Sequence, residues 1–249
     1  MATNTISKIN IQTLDDVENW INSSFNQFQN ILPQTKEILE PLSTKDRVQQ
    51  ILSSLLQDNK RLEEIAKRSY LHFNGFDKIV LLESEEFGYR LRLHLWRPEH
   101  FIEHFEHVHN HPWDFSSRIL AGSLKFQIYS ADSSSIEGLD TYYKYVTLPP
   151  LEKGNGHILD PKGESNLKLV FDATVKEGSF YSNSRELIHR VIKDNNEFCA
   201  TLILQSPING VISDLYTNEP YTNENTSVSH KFYDTDFLKY LLQYMINRL

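Results

Sequence analysis

Two periodicities divide this chain. Apolar residues first recur at helical spacing, with Leu14, Val17, Ile21, Phe25 and Phe28 following Thr13-Leu14-Asp15-Asp16, which reads as a capping box, until Pro33 stops the run. Ser43-Thr44-Lys45-Asp46 repeats the start signal ahead of a second stripe, Val48, Ile51, Leu52 and Leu55, which Leu62 and Ile65 continue beyond Asp58-Asn59. From about Lys78 the pattern changes to short β-rich runs at 79–82, 89–96, 105–111, 117–120, 124–129, 142–148, 167–171, 179–181, 188–192 and 200–204, each bounded by Gly, Pro, Asn, Asp or Ser. Many short strands at this spacing predict an antiparallel barrel or sandwich.

Residues 130–140, rich in Ser and Asp, and 149–166, with several Gly and Pro, read as surface loops. Residues 217–229 are polar and irregular. Phe237, Leu241, Tyr244, Met245 and Arg248 then predict a closing amphipathic helix over 234–249. There is no internal repeat. The expected organisation is a helical segment at 1–75 packing on the barrel, a β-barrel at 76–216, and an extension at 217–249 carrying the last helix.

Composition narrows the class. The 249 residues are 39% hydrophobic and 23% charged, as in a folded protein rather than a disordered one. A net charge of −8, with no dense Lys/Arg stripe, argues against nucleic acid and for a small-molecule partner. The one cysteine, Cys199, lies in the apolar run Phe198-Cys199-Ala200-Thr201-Leu202, so no disulfide framework exists and the thiol reads as a buried small hydrophobe. No apolar signal core and no stretch long enough to span a bilayer are seen, which predicts a cytoplasmic protein without a membrane partner.

The candidate chemistry lies in His107-Val108-His109-Asn110-His111-Pro112-Trp113-Asp114. On an extended strand the three histidines share a face, since successive side chains alternate. Residues two apart on a strand have Cα atoms about 6.6–6.8 Å apart, so only an adjacent pair can converge on one ion with metal–nitrogen bonds of about 2.0–2.1 Å. The pair is either His107/His109 or His109/His111, and the best-placed third ligand is His189 in Leu187-Ile188-His189-Arg190.

His109-x-His111 with Gly122 eleven residues on, and Gly178 with His189 eleven residues on, resemble the two motifs of the cupin superfamily over roughly residues 78–207. That resemblance implies a mainly β cupin jelly-roll barrel, here with N-terminal helices and a C-terminal helix, and a metal on His109, His111 and His189. Metal cupins also carry a glutamate ligand four or five residues after the second histidine, where this chain has Phe115 and Ser116 and places Asp114 one position early. Were His107/His109 the pair, Asp114 would fall five residues later, with Gly122 misplaced by one. Asp114 and His107 are therefore alternative ligands or supports for the site.

A site of three histidines without a carboxylate resembles the thiol dioxygenases of the cysteine dioxygenase type. Ser69-Tyr70-Leu71-His72-Phe73, Arg92-Leu93-His94-Leu95-Trp96, Tyr181-Ser182-Asn183-Ser184 and Leu204-Gln205-Ser206-Pro207 fall where that family carries similar sequence. Its Ser-His-Tyr relay is unmatched, with Gln205 at or near the tyrosine position, so no catalytic group is assigned and cysteine is not expected as substrate.

These resemblances imply an Fe(II) oxygenase using O₂ on a small organic acid, amino acid or thiol. The same ligands could hold Zn, Ni or Mn for a lyase or isomerase, and a non-catalytic small-ligand-binding cupin is the third reading. Arg90 and Arg92 alternate along one strand and are substrate-binding candidates, as are Tyr181 and Gln205. Asp114, Glu103 and Glu106 are candidate partners for the second nitrogens of the ligating imidazoles. The terminal helices could serve a homodimer.

Overall fold

The computed structural model describes residues 10–25, 31–72, 74–98, 106–131, 139–148, 158–193, 197–208, 212–221 and 230–249. The expectations for Phe28, Phe73, Glu103, the start of the run at 105–111 and much of the two loops fall outside them. The helices are α1 (Leu14–Phe25), α2 (Ile31–Leu39), a 3-10 turn (Glu40–Leu42), α3 (Lys45–Leu55), α4 (Asn59–Ala66) and, near the C-terminus, α5 (Thr235–Ile246). Between α4 and α5 run β1 (Tyr70–Leu71), β2 (Asp77–Glu83), β3 (Arg90–Trp96), β4 (Val108–His109), β5 (Phe115–Ala121) and β6 (Ser123–Ser130). They are followed by β7 (Leu139–Leu148), β8 (Ile158–Lys176), β9 (Phe180–Asn183), β10 (Ile188–Ile192), β11 (Cys199–Gln205) and β12 (Ser213–Thr217).

The strands form two antiparallel sheets, the jelly-roll architecture with helices at both ends. One sheet has the order β1-β2-β3-β11-β5-β9; the other closes as a ring, β10-β4-β12-β7-β8-β6. In the first sheet the alternation of β3 is decisive. Leu91, Leu93 and Leu95 point outward into a core shared with Leu14, Val17 and Ile21 of α1, with Val48 and Leu52 of α3, and with Leu238, Leu241 and Leu242 of α5. Arg92, His94 and Trp96 take the opposite face, inside the barrel. Because helices cover the outer face, the apolar face of this strand is the outer one and the polar face is interior.

Local signals explain several boundaries. The capping box at α1 is reciprocal: Asp16 N–H donates to Thr13 Oγ1 (3.2 Å) and Thr13 N–H to Asp16 Oδ2 (2.9 Å). Asp58 and Asp234 cap α4 and α5 by accepting from the amides of Arg61 and Phe237. Thr44 starts α3 without a side-chain cap bond.

Three expectations are corrected. Pro33 does not stop helical structure; it lies in the first turn of α2, where its nitrogen needs no intrahelical acceptor. Residues 158–166, read as loop from Pro161 and Gly163, belong to β8 and pair with β7, the register shifting where Lys144 faces Gly163 and Tyr145 faces Pro161. That bulge absorbs the two breakers. The buried stripe of α5 is Leu238, Leu241, Leu242 and Met245, whereas Phe237 packs only at its edge.

Gly122 and Gly178, the two glycines of the motif spacing, have φ of +73° and +83°. Gly122 makes the turn between β5 and β6, and a Cβ there would lie 2.2 Å from the carbonyl oxygen of Phe198. Gly178 N–H donates to Ile119 O (2.9 Å), tying the turn after β8 to β5.

Candidate metal centre

β4 is only two residues long, which decides how the histidine run is used. His109 pairs with His189 of β10 on one side and Leu215 of β12 on the other. Beyond the strand, Asn110 N–H donates to Asp214 O (3.1 Å) and His111 N–H to Arg185 O (3.3 Å), so the chain turns and brings the His111 ring back beside His109. Ring centroids are 4.6 Å apart for His109/His111, 4.8 Å for His109/His189 and 5.2 Å for His111/His189. One nitrogen from each of the three lies within 4.8 Å of the others, a group that could hold a metal ion.

The imidazoles are oriented by carbonyls rather than by the carboxylates expected from the sequence. His109 Nδ1 lies 2.8 Å from His107 O and His189 Nδ1 lies 2.9 Å from Leu187 O. A carbonyl only accepts, so each Nδ1 carries a proton and each Nε2 is left to face the cluster. His111 stacks on Trp113 at 5.0 Å, and Phe115, Phe126 and Tyr181 pack around the three rings. Burial holds His111 well below the usual imidazole range, with His109 and His189 adding to it. Burial and the neighbouring His109 push His189 down to about 3. Imidazole nitrogens facing one point suit a cation.

The other sequence candidates fall in different places. His107 contributes its carbonyl, while its own Nε2 lies 3.2 Å from Tyr221 Oη. Asp114 accepts from Arg185 N–H (2.7 Å) through Oδ1, and its backbone is bonded to Ser206, outside the histidine group. Arg92 lines the cavity, but Arg90 pairs with Glu83 away from it. Gln205 is buried behind Arg92 and accepts from its Nη2. Tyr181 lines the cavity. Glu106 is the carboxylate beside the cluster: its Oε1 lies 4.0 Å from His109 Nε2, and it is held by Asn74 Nδ2 (3.0 Å) and the Val191 amide. Burial raises its pKa.

The three histidines open onto a cavity of about 260 Å³. Its walls include Tyr70, His72 and His94, which lie in segments that carry the family resemblance but were not site candidates, and Phe76, Lys78 and His230, which the sequence did not mark. Tyr70/His72, Phe76/Lys78 and Arg92/His94 each lie two residues apart, the alternation of extended chain, whereas His230 has no such partner. Tyr70 stacks on His230 at 3.9 Å, beside the bridge between Tyr70 and Phe232.

No protein-family model and no curated protein matches the chain. Solved structures similar to it include a cupin-2 domain containing protein from Shewanella frigidimarina, at 13% identity over 52% of this chain and 78% of that one, TM-score 0.28. Hydroquinone 1,2-dioxygenase PnpCD, solved with Cd²⁺ and 4-hydroxybenzonitrile, aligns at 15% identity over 58% and 70%, TM-score 0.31. Fe(II) HppE aligns at 12% identity over 77% and 83%, TM-score 0.32. Among the described residues no helix is long and apolar enough to cross a membrane.

Proposed function

We propose that the chain is a metal-dependent cupin oxygenase that holds Fe(II) on His109, His111 and His189 and acts with O₂ on a small organic acid, amino acid or thiol. The observation that carries this reading is the convergence of three imidazoles, His189 buried and His109 and His111 half-buried, two of them fixed by backbone carbonyls, at the wall of a cavity. Structural zinc sites are closed by four protein ligands, whereas catalytic sites keep an open position. His107 and Asp114, the candidates for a fourth ligand, are engaged elsewhere, which favours the open kind. Bound iron would supply a redox centre with positions for substrate and O₂. The chain's own contribution is to hold the imidazole protons on Nδ1 of His109 and His189, to exclude water with Phe115, Phe126 and Tyr181, and to set the Glu106 carboxylate beside the cluster.

The test is metal analysis of protein purified without chelator and after anaerobic Fe(II) reconstitution, followed by O₂ uptake with organic acids, amino acids and thiols. Stoichiometric iron that disappears in His189→Ala and in the double variant His109→Ala/His111→Ala, with O₂ consumed, is the expected result. Zn, Ni or Mn in its place, without O₂ uptake, would move the assignment to a lyase or isomerase. A wild-type protein that takes up no metal would overturn the enzyme reading and leave a ligand-binding barrel.

A further inference from the structure

Two basic side chains, the buried Arg92 and the half-buried Lys78, share the cavity with the histidines, and no carboxylate pairs with either of them among the described residues. Arg92 is 5% exposed; its Nη2 donates to the neutral Gln205 and its Nε has no partner. Its guanidinium lies 5.5 Å over the ring of Trp113, which stacks on His111, so a single ring separates it from the metal centre. Lys78 donates to Tyr70 Oη (2.9 Å) and lies 5.1 Å over that ring. Its cross-strand neighbour His94 carries an unpartnered buried Nε2.

The acids that also line the cavity are committed elsewhere. Glu106 is held by Asn74 and the Val191 amide, and Asp214 pairs with Lys144 at 2.9 Å. Desolvation lowers the pKa of Arg92 to about 10 and that of Lys78 well below the ordinary lysine range. Both shifts reflect the cost of holding a basic group's charge in the cavity, a cost that an anionic ligand would offset. The surfaces between are flat: Phe76 stacks on His94 at 4.2 Å and tilts against Trp96 at 5.1 Å.

We propose that Lys78 and Arg92 form a carboxylate-binding site for a flat, ring-sized organic acid whose opposite end faces His109, His111 and His189. This rests on the enzyme reading only in taking the histidine end as the reacting end. A volume of about 260 Å³ lies just under the roughly 300–1,000 Å³ of pockets for drug-sized ligands, which sets the ring-sized limit. The carboxylate supplies acceptors for donors that the fold leaves without them, and the rings supply stacking walls.

The probe is benzoate, with benzamide as its neutral counterpart, titrated calorimetrically into the full chain after chelator treatment and again after Fe(II) loading. Benzoate is expected to bind the metal-free protein, and benzamide to bind at least about tenfold more weakly, as for loss of a charge-assisted contact. Lys78→Met and Arg92→Met should each weaken benzoate about tenfold or more, and Lys78→Arg should retain most of the affinity. Lys78→Met should also melt no lower than wild type, since it removes an uncompensated charge. A lysine kept for structure would give a lower melting temperature.

Equal binding of benzoate and benzamide, absence of benzoate binding, or Lys78→Met that binds as wild type does would overturn the proposal. Should Arg92→Met fail to fold, the Lys78 pair decides. Benzoate binding in a protein that never takes up metal would leave this site standing while the enzyme reading fails. Iron uptake without benzoate binding would do the reverse.

Discussion

His109 and His189 stand directly opposite one another in the antiparallel β4/β10 pair, with their rings 4.8 Å apart. Two imidazoles far apart in sequence are thus placed by backbone register, and a slip of one residue would send one of them to the other face of the sheet. The same ladder presents the Val191 amide, two residues beyond His189, to Glu106. Glu106→Gln should keep the fold and weaken Co(II) or Fe(II) binding by about tenfold or more, because it removes a carboxylate 4.0 Å from His109 Nε2 at the edge of the cluster. Competition titration against a chromophoric chelator would measure it.

Acid should destabilise the metal-free protein. His72, His94 and His189 are all held below the ordinary imidazole value by burial, His189 to about 3. Below pH 6.5 the unfolded chain takes up protons that the folded cavity refuses, so stability falls as pH falls. For His189 that window extends down to about pH 3. Each imidazole kept neutral contributes a slope of roughly 1.4 kcal/mol per pH unit. Urea unfolding at pH 7, 6 and 5 should show the midpoint dropping progressively; a flat profile would mean that the histidines are accessible to protons in the native state.

The two turn glycines should respond differently to the same substitution. Gly178→Ala adds only the strain of a left-handed alanine, about 1–2 kcal/mol, because the nearest atom to the new Cβ is Arg118 Nη2 at 3.9 Å. Gly122→Ala adds a backbone clash with Phe198 O and should cost about 3 kcal/mol or more, or abolish soluble expression. Equal melting temperatures for the two variants would show that the β5/β6 turn can relax.

These residues also show what a linear reading can reach. His109, His111, His189 and the two glycines stood out through the spacing of two motifs that resemble those of the cupins, and the structure brings the three histidines together where the sequence had left His107/His109 open as a pair. The cavity's opposite wall did not stand out, since Lys78, His94 and His230 come from three elements and meet only through the register of β2 with β3 and the return of the chain near Tyr70. Arg90 and Arg92 looked equivalent by alternation; a neighbouring Glu83 at the strand end captures Arg90, and Arg92 alone turns to the cavity. α2 was hidden by Pro33, whose permitted place in a first helical turn reads as a stop when the helix start is not seen.

Asp77→Ala should be among the most damaging substitutions away from the cavity. Asp77 binds Arg97 through Nε (2.6 Å) and Nη2 (3.2 Å), both side chains being 2% exposed, and also accepts from Tyr233 Oη. Removing the carboxylate strands a buried guanidinium and should cost about 3–5 kcal/mol in chemical denaturation.

Cys199 is fully buried, and burial pushes its thiol up to about 12. Ellman's reagent at pH 8 should leave the native protein unmodified and label one thiol per chain in guanidinium. Labelling of the folded form would show that β11 opens.

The stack of His230 on Tyr70 gives the cavity an order of construction. The three histidines and the ring of strands that carries them are complete once β12 has been made, whereas His230 emerges from the ribosome later. The last wall of the cavity is thus written into the chain after the cluster, by a residue that belongs to neither sheet.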